Sequence, residues 1–273
     1  METTIIESRK GLLPSFRFKE LYNYRDLLVF LVLRDIRARY AQSLLGVGWA
    51  VIQPVFQMVV FTIILGRLAG VPSDGAPYAI FSFVALVPWT FFANSLTGSS
   101  NSLVANAGML SKVYFPRLVI PLSAMLAKLV DFLIAFAVLG VLLVYYGQAP
   151  SWDIVYLPWL ILVLVLCSTG VGFWLTALSI QYRDVQYAMG FGVQLAMYGS
   201  PVVFSASLVP EEWQSVFALN PMVGVIEGFR SIFLQTIDFP FSWVAMGTCI
   251  SSLIFVSGWI FFVSRERIFA DVA

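Results

Sequence analysis

Along this 273-residue chain, long apolar runs alternate with short polar interruptions. A bilayer core about 30 Å thick takes about 20 mostly apolar residues as a helix. Six stretches meet that length: roughly 44–66, 79–98, 118–146, 156–180, 185–204 and 242–263. Turn-forming segments separate them, among them GVPSDGAP (70–77), YYGQAPSWD (145–153) and QYRD (181–184). The pattern predicts an all-α integral membrane protein with six transmembrane helices between 44 and 263, after an N-terminal segment (1–23) and before a short tail (264–273).

Two stretches have a different pattern. In YRDLLVFLVLRDIRARYA (24–41), Val29, Leu33, Ile36 and Tyr40 share one stripe, while Arg34, Arg37 and Arg39 crowd the distal half with charge. That combination predicts an amphipathic helix lying at the membrane interface, its arginines reaching head groups or a partner. In 205–240, PEEWQSVFAL opens with Pro210 and two acids, good chemistry for a first helical turn, and stops at Asn220-Pro221. MVGVIEGFRSIFLQ then resumes, with Glu227 and Arg230 at i, i+3 where they can pair. Each piece is too short to cross. Two short re-entrant helices on the outer side, before the last span, are expected; such backbone is tolerated where it packs on protein or lines a wet cavity.

Composition agrees with a membrane protein. The chain is 60% hydrophobic and 11% charged, with a mean hydropathy of +0.88, whereas soluble domains carry about 25% charged residues. Thirteen of its sixteen Lys and Arg residues fall before the first span, in 99–117, in 181–184 or in the tail. Arg67 and Arg230 fall on the opposite side and Lys128 within a span. By the positive-inside rule both termini are expected in the cytoplasm. The first twenty residues hold no apolar run of signal-peptide length, so insertion is expected to rely on the internal spans.

The chemical inventory is narrow. The chain contains no histidine, no P-loop, no dinucleotide fingerprint and no metal-ligand spacing, so no metal site and no catalytic residue is expected. Cys167 and Cys249, in separate spans, read as free thiols. Asp131 is the exceptional carboxylate within a span, with Lys128 one turn before it. An intramembrane pair of this kind is either functional or a neutralised pair that holds the third helix against its neighbours.

Two spans share a further pattern. Trp49, Gln53 and Phe56 fall at i, i+4 and i+7 in the first, with Gln57 beside them and Pro54 bending the helix. Tyr187, Phe191, Gln194 and Tyr198 repeat that spacing in the fifth. Amides facing lipid are costly, so both stripes should face protein or a wet lumen. Rings alternating with amides suit a sugar chain, with apolar pyranose faces and hydroxyl rims; ordinary helix–helix packing is the simpler reading.

Four segments bring a family into view: LVLRDIRARYAQSLLGVGWAVIQP (31–54), SKVYFPRLVIPL (111–122), SIQYRDV (179–185) and NPMVGVIEGFR (220–230). Together they resemble the permease subunit of type-2 ABC exporters, closest to the branch that exports lipid-linked O-antigen, capsular polysaccharide or teichoic acid. The resemblance covers nearly the whole chain. It implies a homodimer of six-span permeases in a bacterial cytoplasmic (inner) membrane, docked on two copies of a separate ATP-binding subunit. The lipid-linked glycan would be the substrate, and no nucleic acid is involved. ATP and Mg2+ would be held by the partner subunit and no cofactor by this chain. It also implies a channel lined by the first and fifth spans, and a cytoplasmic coupling segment at 99–117 with Lys112, Tyr114 and Arg117 as contacts to the ATPase. The helix at 24–41, carrying Arg34, Arg37 and Arg39, would be the gate or connecting helix. The helices bearing Glu227 and Arg230 would form the outer gate. Alternatives are a type-2 exporter of a drug or small lipid, with a drier and more aliphatic interface, and a polyprenyl-sugar glycosyltransferase. The latter needs clustered acids, of which 99–117 has none. The ionisable inventory disfavours a proton-coupled transporter. Lacking a phosphate-cradling loop, the purified chain should show no ATPase activity above background in a phosphate-release assay.

Overall fold

The computed structural model describes residues 18–41, 45–110 and 115–266, and among them all regular structure is helical. A short α1 (Phe18–Asn23) leads into α2 (Arg25–Tyr40). The first apolar run forms α3 (Gly48–Phe61), extended through Leu68 by a wider helical turn, and the second forms α4 (Tyr78–Ala105). After the four-residue α5 (Ala107–Leu110), the third run forms α6 (Val119–Leu126) and α7 (Lys128–Tyr146), almost continuous through Ala127. Then come α8 (Leu157–Ser179), α9 (Asp184–Tyr198), α10 (Glu211–Phe217), α11 (Pro221–Leu234) and α12 (Phe241–Arg265).

Five of these units are long and apolar enough to cross a bilayer: Gly48–Leu68, Tyr78–Ala105, Val119–Tyr146, Trp152–Ser179 and Phe241–Arg265. The pair α10–α11, bent by 108° between its halves, makes a sixth if counted as one unit. The run at 185–204 differs from expectation. It is helical only through Tyr198, so its 15 residues rise roughly 22 Å, short of the hydrocarbon thickness. Gly199 and the restriction that Pro201 places on Ser200 end it there.

At the centre stands α4, with nineteen of its 28 residues buried. It packs against α3, α6, α7, α8, α9 and α11. Its buried serines, Ser82, Ser95, Ser99, Ser100 and Ser102, belong in such a position, away from lipid. Helix α11 is buried along its entire length, so it rests on protein rather than lipid. The hydroxyls within the spans mostly turn back on their own helices: Ser168 donates to the Leu164 carbonyl at 2.7 Å and Thr248 to that of Val244 at 2.7 Å. In hydrocarbon that return bond is the cheapest way to satisfy a hydroxyl.

The closest helix pair is α8 with α12. A Cβ on Gly170 would sit 2.6 Å from the Phe255 Cα, and one on Gly258 would strike the Gly170 carbonyl. Glycine at these positions lets two backbones meet and gain dispersion contacts that lipid cannot supply as tightly. Gly170→Leu should therefore force the pair apart, destabilising the fold by about 3 kcal/mol. A thermal-unfolding shift of several degrees in detergent would register it, while Gly140→Leu, where an added Cβ meets nothing within 4 Å, should be silent.

Candidate functional site

Helices α3 and α9 are bound to the rest of the chain by one side each. In α9 the inward residues are Val185, Met189, Val193 and Met197, which join the main core. The opposite side carries Tyr187, Phe191 and Tyr198, exposed by 85%, 66% and 56%, with Gln194 exposed between them. In α3, Pro54 and Met58 are buried, while Trp49, Gln53 and Phe56 are exposed. Gln57 is half-buried, its amide 3.8 Å from the Met197 sulfur, a point where the two striped helices touch. The stripes are therefore not spent on packing within the chain. Along the middle of α7 and α12 uncovered aliphatic side chains, such as Leu133, Val141, Leu253 and Val256, suit lipid, with exposed rings toward the helix ends at Tyr145 and Phe241. Trp49, Ile52, Gln53, Phe56 and Val60 edge an outward apolar groove of about 550 Å3.

The same α3 face also borders a polar cavity of about 520 Å3, to which Arg39, Tyr40, Asn94, Lys128 and Asp131 contribute. Here the expected pairing is corrected. Among the described residues Asp131 forms its ion pair with Arg39, not with Lys128, and it also accepts a hydrogen bond from the Tyr40 hydroxyl. The end of α2 reaches the third span because the helix lies along α6, which is almost continuous with α7. Burial, followed by the bond to Asp131 and its charge, pushes the Tyr40 hydroxyl up to about 12, so it remains a donor at physiological pH. In α2, Leu27, Leu28 and Leu31 face the protein, Val29 and Leu33 are exposed, and Ile36 and Tyr40 are half-buried. Both sides of the helix are apolar over its first half. Asn94 and Thr90, which line the cavity from α4, were missed; an amide inside the run WTFFANSL (89–96) was the available signal.

On the far side, Glu227 and Arg230 do pair, at 2.8 Å, and both are fully buried. Arg230 also donates to the carbonyls of Phe204 (3.0 Å) and Val202 (3.2 Å), and its guanidinium stacks 3.7 Å from the Phe81 ring centre. Glu227 accepts the Ala206 backbone N–H at 3.0 Å. The pair thus clamps the segment after α9 between α11 and α4. Asn220 adds a second tie, capping Met222 with its side-chain oxygen and holding Gly199 and Ser200 with its amide.

With that arrangement in view, comparison with known proteins is informative. The description of the ABC-2 type transporter family matches residues 26–234. The chain belongs to the ABC-2 transporter family. It is 31% identical over 219 residues to the O-antigen export system permease protein RfbA of Myxococcus xanthus, covering 80% of this chain and 84% of that protein. It is likewise 31% identical over 211 residues to RfbA of Klebsiella pneumoniae, covering 77% and 81%. The polysialic acid transport protein KpsM of Escherichia coli is more distant, 26% identical over 204 residues, covering 72% and 77%.

In this ABC-2 transporter, the cations expected to reach an ATPase are employed variously. Arg39 is turned toward the third span, Arg34 holds its neighbour Asp35 at 2.8 Å, and Arg37 is exposed. Arg117 binds the tail, its backbone N–H donating to a Glu266 carboxylate oxygen at 3.2 Å and its guanidinium to the Glu266 carbonyl. Lys112 and Tyr114 lie outside the described residues. The Arg39–Asp131 link carries a direct test. Arg39→Gln leaves a partly buried carboxylate short of a partner and should lower stability by about 1–3 kcal/mol. The double change Arg39→Gln/Asp131→Asn should recover part of that loss, as read from thermal unfolding. Lys128→Met should neither reproduce the loss nor be rescued by Asp131→Asn.

Proposed function

We propose that this chain is the membrane permease subunit of an ATP-driven exporter, moving a lipid-linked polysaccharide of O-antigen, capsule or teichoic-acid type across the bacterial cytoplasmic membrane. The observation that carries the reading is the pair of adjacent, uncovered stripes on α3 and α9. Their amides would be poorly satisfied by lipid, and their rings are laid out along the direction of passage. Each ring offers a flat apolar surface to a pyranose and each amide a hydrogen bond to its hydroxyls. Many weak contacts of this kind hold a polymer without arresting it, as a conducting path requires. The names of the relatives, O-antigen export and polysialic acid transport, support a glycan over a drug or small lipid, as does the contrast with the aliphatic faces of α7 and α12.

Two copies of the chain would bring their striped faces together around the lumen, and two ATP-binding subunits would dock on the side rich in Lys and Arg, with both termini there. ATP and Mg2+ belong to those subunits. The segment at 99–117 would receive their motion. In this topology α9 and the clamped segment 199–204 together make the fifth crossing, and α10–α11 return as a hairpin on the outer side. Helix α2 lies at the cytoplasmic interface, and its bond from Arg39 to Asp131 would transmit displacement to the third span.

The lining is testable by accessibility. On a background without Cys167 and Cys249, cysteines at Tyr187, Phe191 and Tyr198 should react with a water-soluble thiol reagent in the assembled exporter, and those at the inward Val193 and Met197 should not. Ring-to-alanine changes should each slow glycan export several-fold, given stacking worth about 0.5–1.5 kcal/mol per ring, and should accumulate when combined. Equal protection of both sets of cysteines would show that the stripes are buried in a dry interface and would remove the lumen.

A further inference from the structure

A second polar pocket, of about 450 Å3, lies at the opposite end of the bundle from Arg39, where the turn between α7 and α8 meets the end of α11. Ser151, Asp153, Ser231, Gln235, Thr236 and Asp238 line it together with Ile237. We propose that it binds a divalent cation with a preference for hard oxygen ligands, Ca2+ fitting best. Four observations converge on that chemistry. The lining contributes two carboxylates and, among the described residues, no Lys or Arg to neutralise them. Ser231 is 1% exposed and its hydroxyl has no hydrogen-bond partner, and the buried Thr236 hydroxyl has none either. Helix α11 ends at Leu234, beside the pocket, so its partial negative charge falls there. Finally, Arg230, on the same helix as Ser231, turns away to Glu227 and the carbonyls of Val202 and Phe204.

The two walls are also tied in place. The Ser151 N–H donates to the Ile232 carbonyl at 2.8 Å, and the Gln235 amide donates to that of Ala149 at 2.7 Å, leaving the amide oxygen as its acceptor. Gln235 adopts a left-handed conformation (φ 55°), which turns the chain sharply from the helix into Thr236 and Asp238. Ser151 receives the Asp153 N–H at 3.1 Å, fixing that carboxylate's backbone. The donors are carboxylate, hydroxyl and amide oxygens, with no sulfur or imidazole. With two carboxylates and otherwise neutral oxygens in its lining, the pocket does not suit a transition metal. Ca2+ accepts six to eight oxygens in irregular geometry, including neutral ones and water, and modest affinity suffices where millimolar Ca2+ prevails. A bound ion would join the α7–α8 turn to the end of α11, holding the α10–α11 unit against the spans. The inference stands independently of the exported substrate.

Calorimetric titration of Ca2+ into the purified protein in phosphatidylcholine nanodiscs would test it. One Ca2+ per chain is expected, with thermal unfolding moving upward as the ion is added. Asp153→Asn and Asp238→Asn should each weaken binding about tenfold or more, a scale typical of losing a metal-site partner. Should a carboxylate variant fail to fold, Ser231→Ala, which removes a buried oxygen and no charge, must still weaken binding measurably. Absence of binding at millimolar Ca2+, or the same affinity in wild type and Ser231→Ala together with any folded carboxylate variant, would overturn the site. So would stabilisation by ethanolamine without stabilisation by Ca2+, which would mark an ammonium site instead.

Discussion

Hydrocarbon solvates no polar group, and most of this structure follows from that constraint. Each buried amide, hydroxyl or charge must find its partner within the protein, because leaving one unmet costs several kcal/mol. The backbone answers with helices. The hydroxyls of Ser168, Thr169 and Thr248 answer with bonds to carbonyls four residues back. Arg230 answers with a carboxylate, two carbonyls and an aromatic face.

The Glu227–Arg230 pair shows how such an answer organises neighbouring structure. Removing one partner of a fully buried pair typically costs about 3–5 kcal/mol, since the other charge is then stranded. The pair is not an isolated salt bridge, however. By taking up the carbonyls of Val202 and Phe204 and the N–H of Ala206, it fixes the irregular segment that follows α9. That segment has no regular secondary structure to satisfy its own backbone, and α11 supplies the missing partners while α4 packs beside them. The short length of α9 and the full burial of α11 are thus two aspects of one arrangement.

The Arg39–Asp131 link applies the same rule at the other end of the bundle. A carboxylate on the third span needs a cation, and α2 delivers one from outside the span set. Lys128, one turn away, stands in the same cavity, so two cations and one carboxylate share the space beside Trp49 and Gln53. The polar cavity and the striped face of α3 are continuous, which joins the charged end of α2 to the lining of the proposed passage.

Hydropathy is a local sum, so the apolar runs and the all-α membrane fold could be read along the chain. The ring-and-amide stripes and the Glu227–Arg230 pairing were legible for the same reason, since both are periodicities within one helix. Contacts between distant residues were not. Arg39 and Asp131 are 92 positions apart, and in the sequence Lys128 is the nearer candidate for the carboxylate. The inner face of α2 could not be chosen, because Leu27 and Leu31 are as apolar as Val29 and Leu33 and only the presence of α6 decides between them. The pocket of Asp153, Ser231 and Asp238 gathers residues from two separate turns with no motif spacing. Sequence determined which segments must leave water and which faces could not rest in lipid, since transfer energies belong to residues. Tertiary structure decided which polar groups meet, since a buried charge takes the partner that packing brings within reach, not the one nearest along the chain.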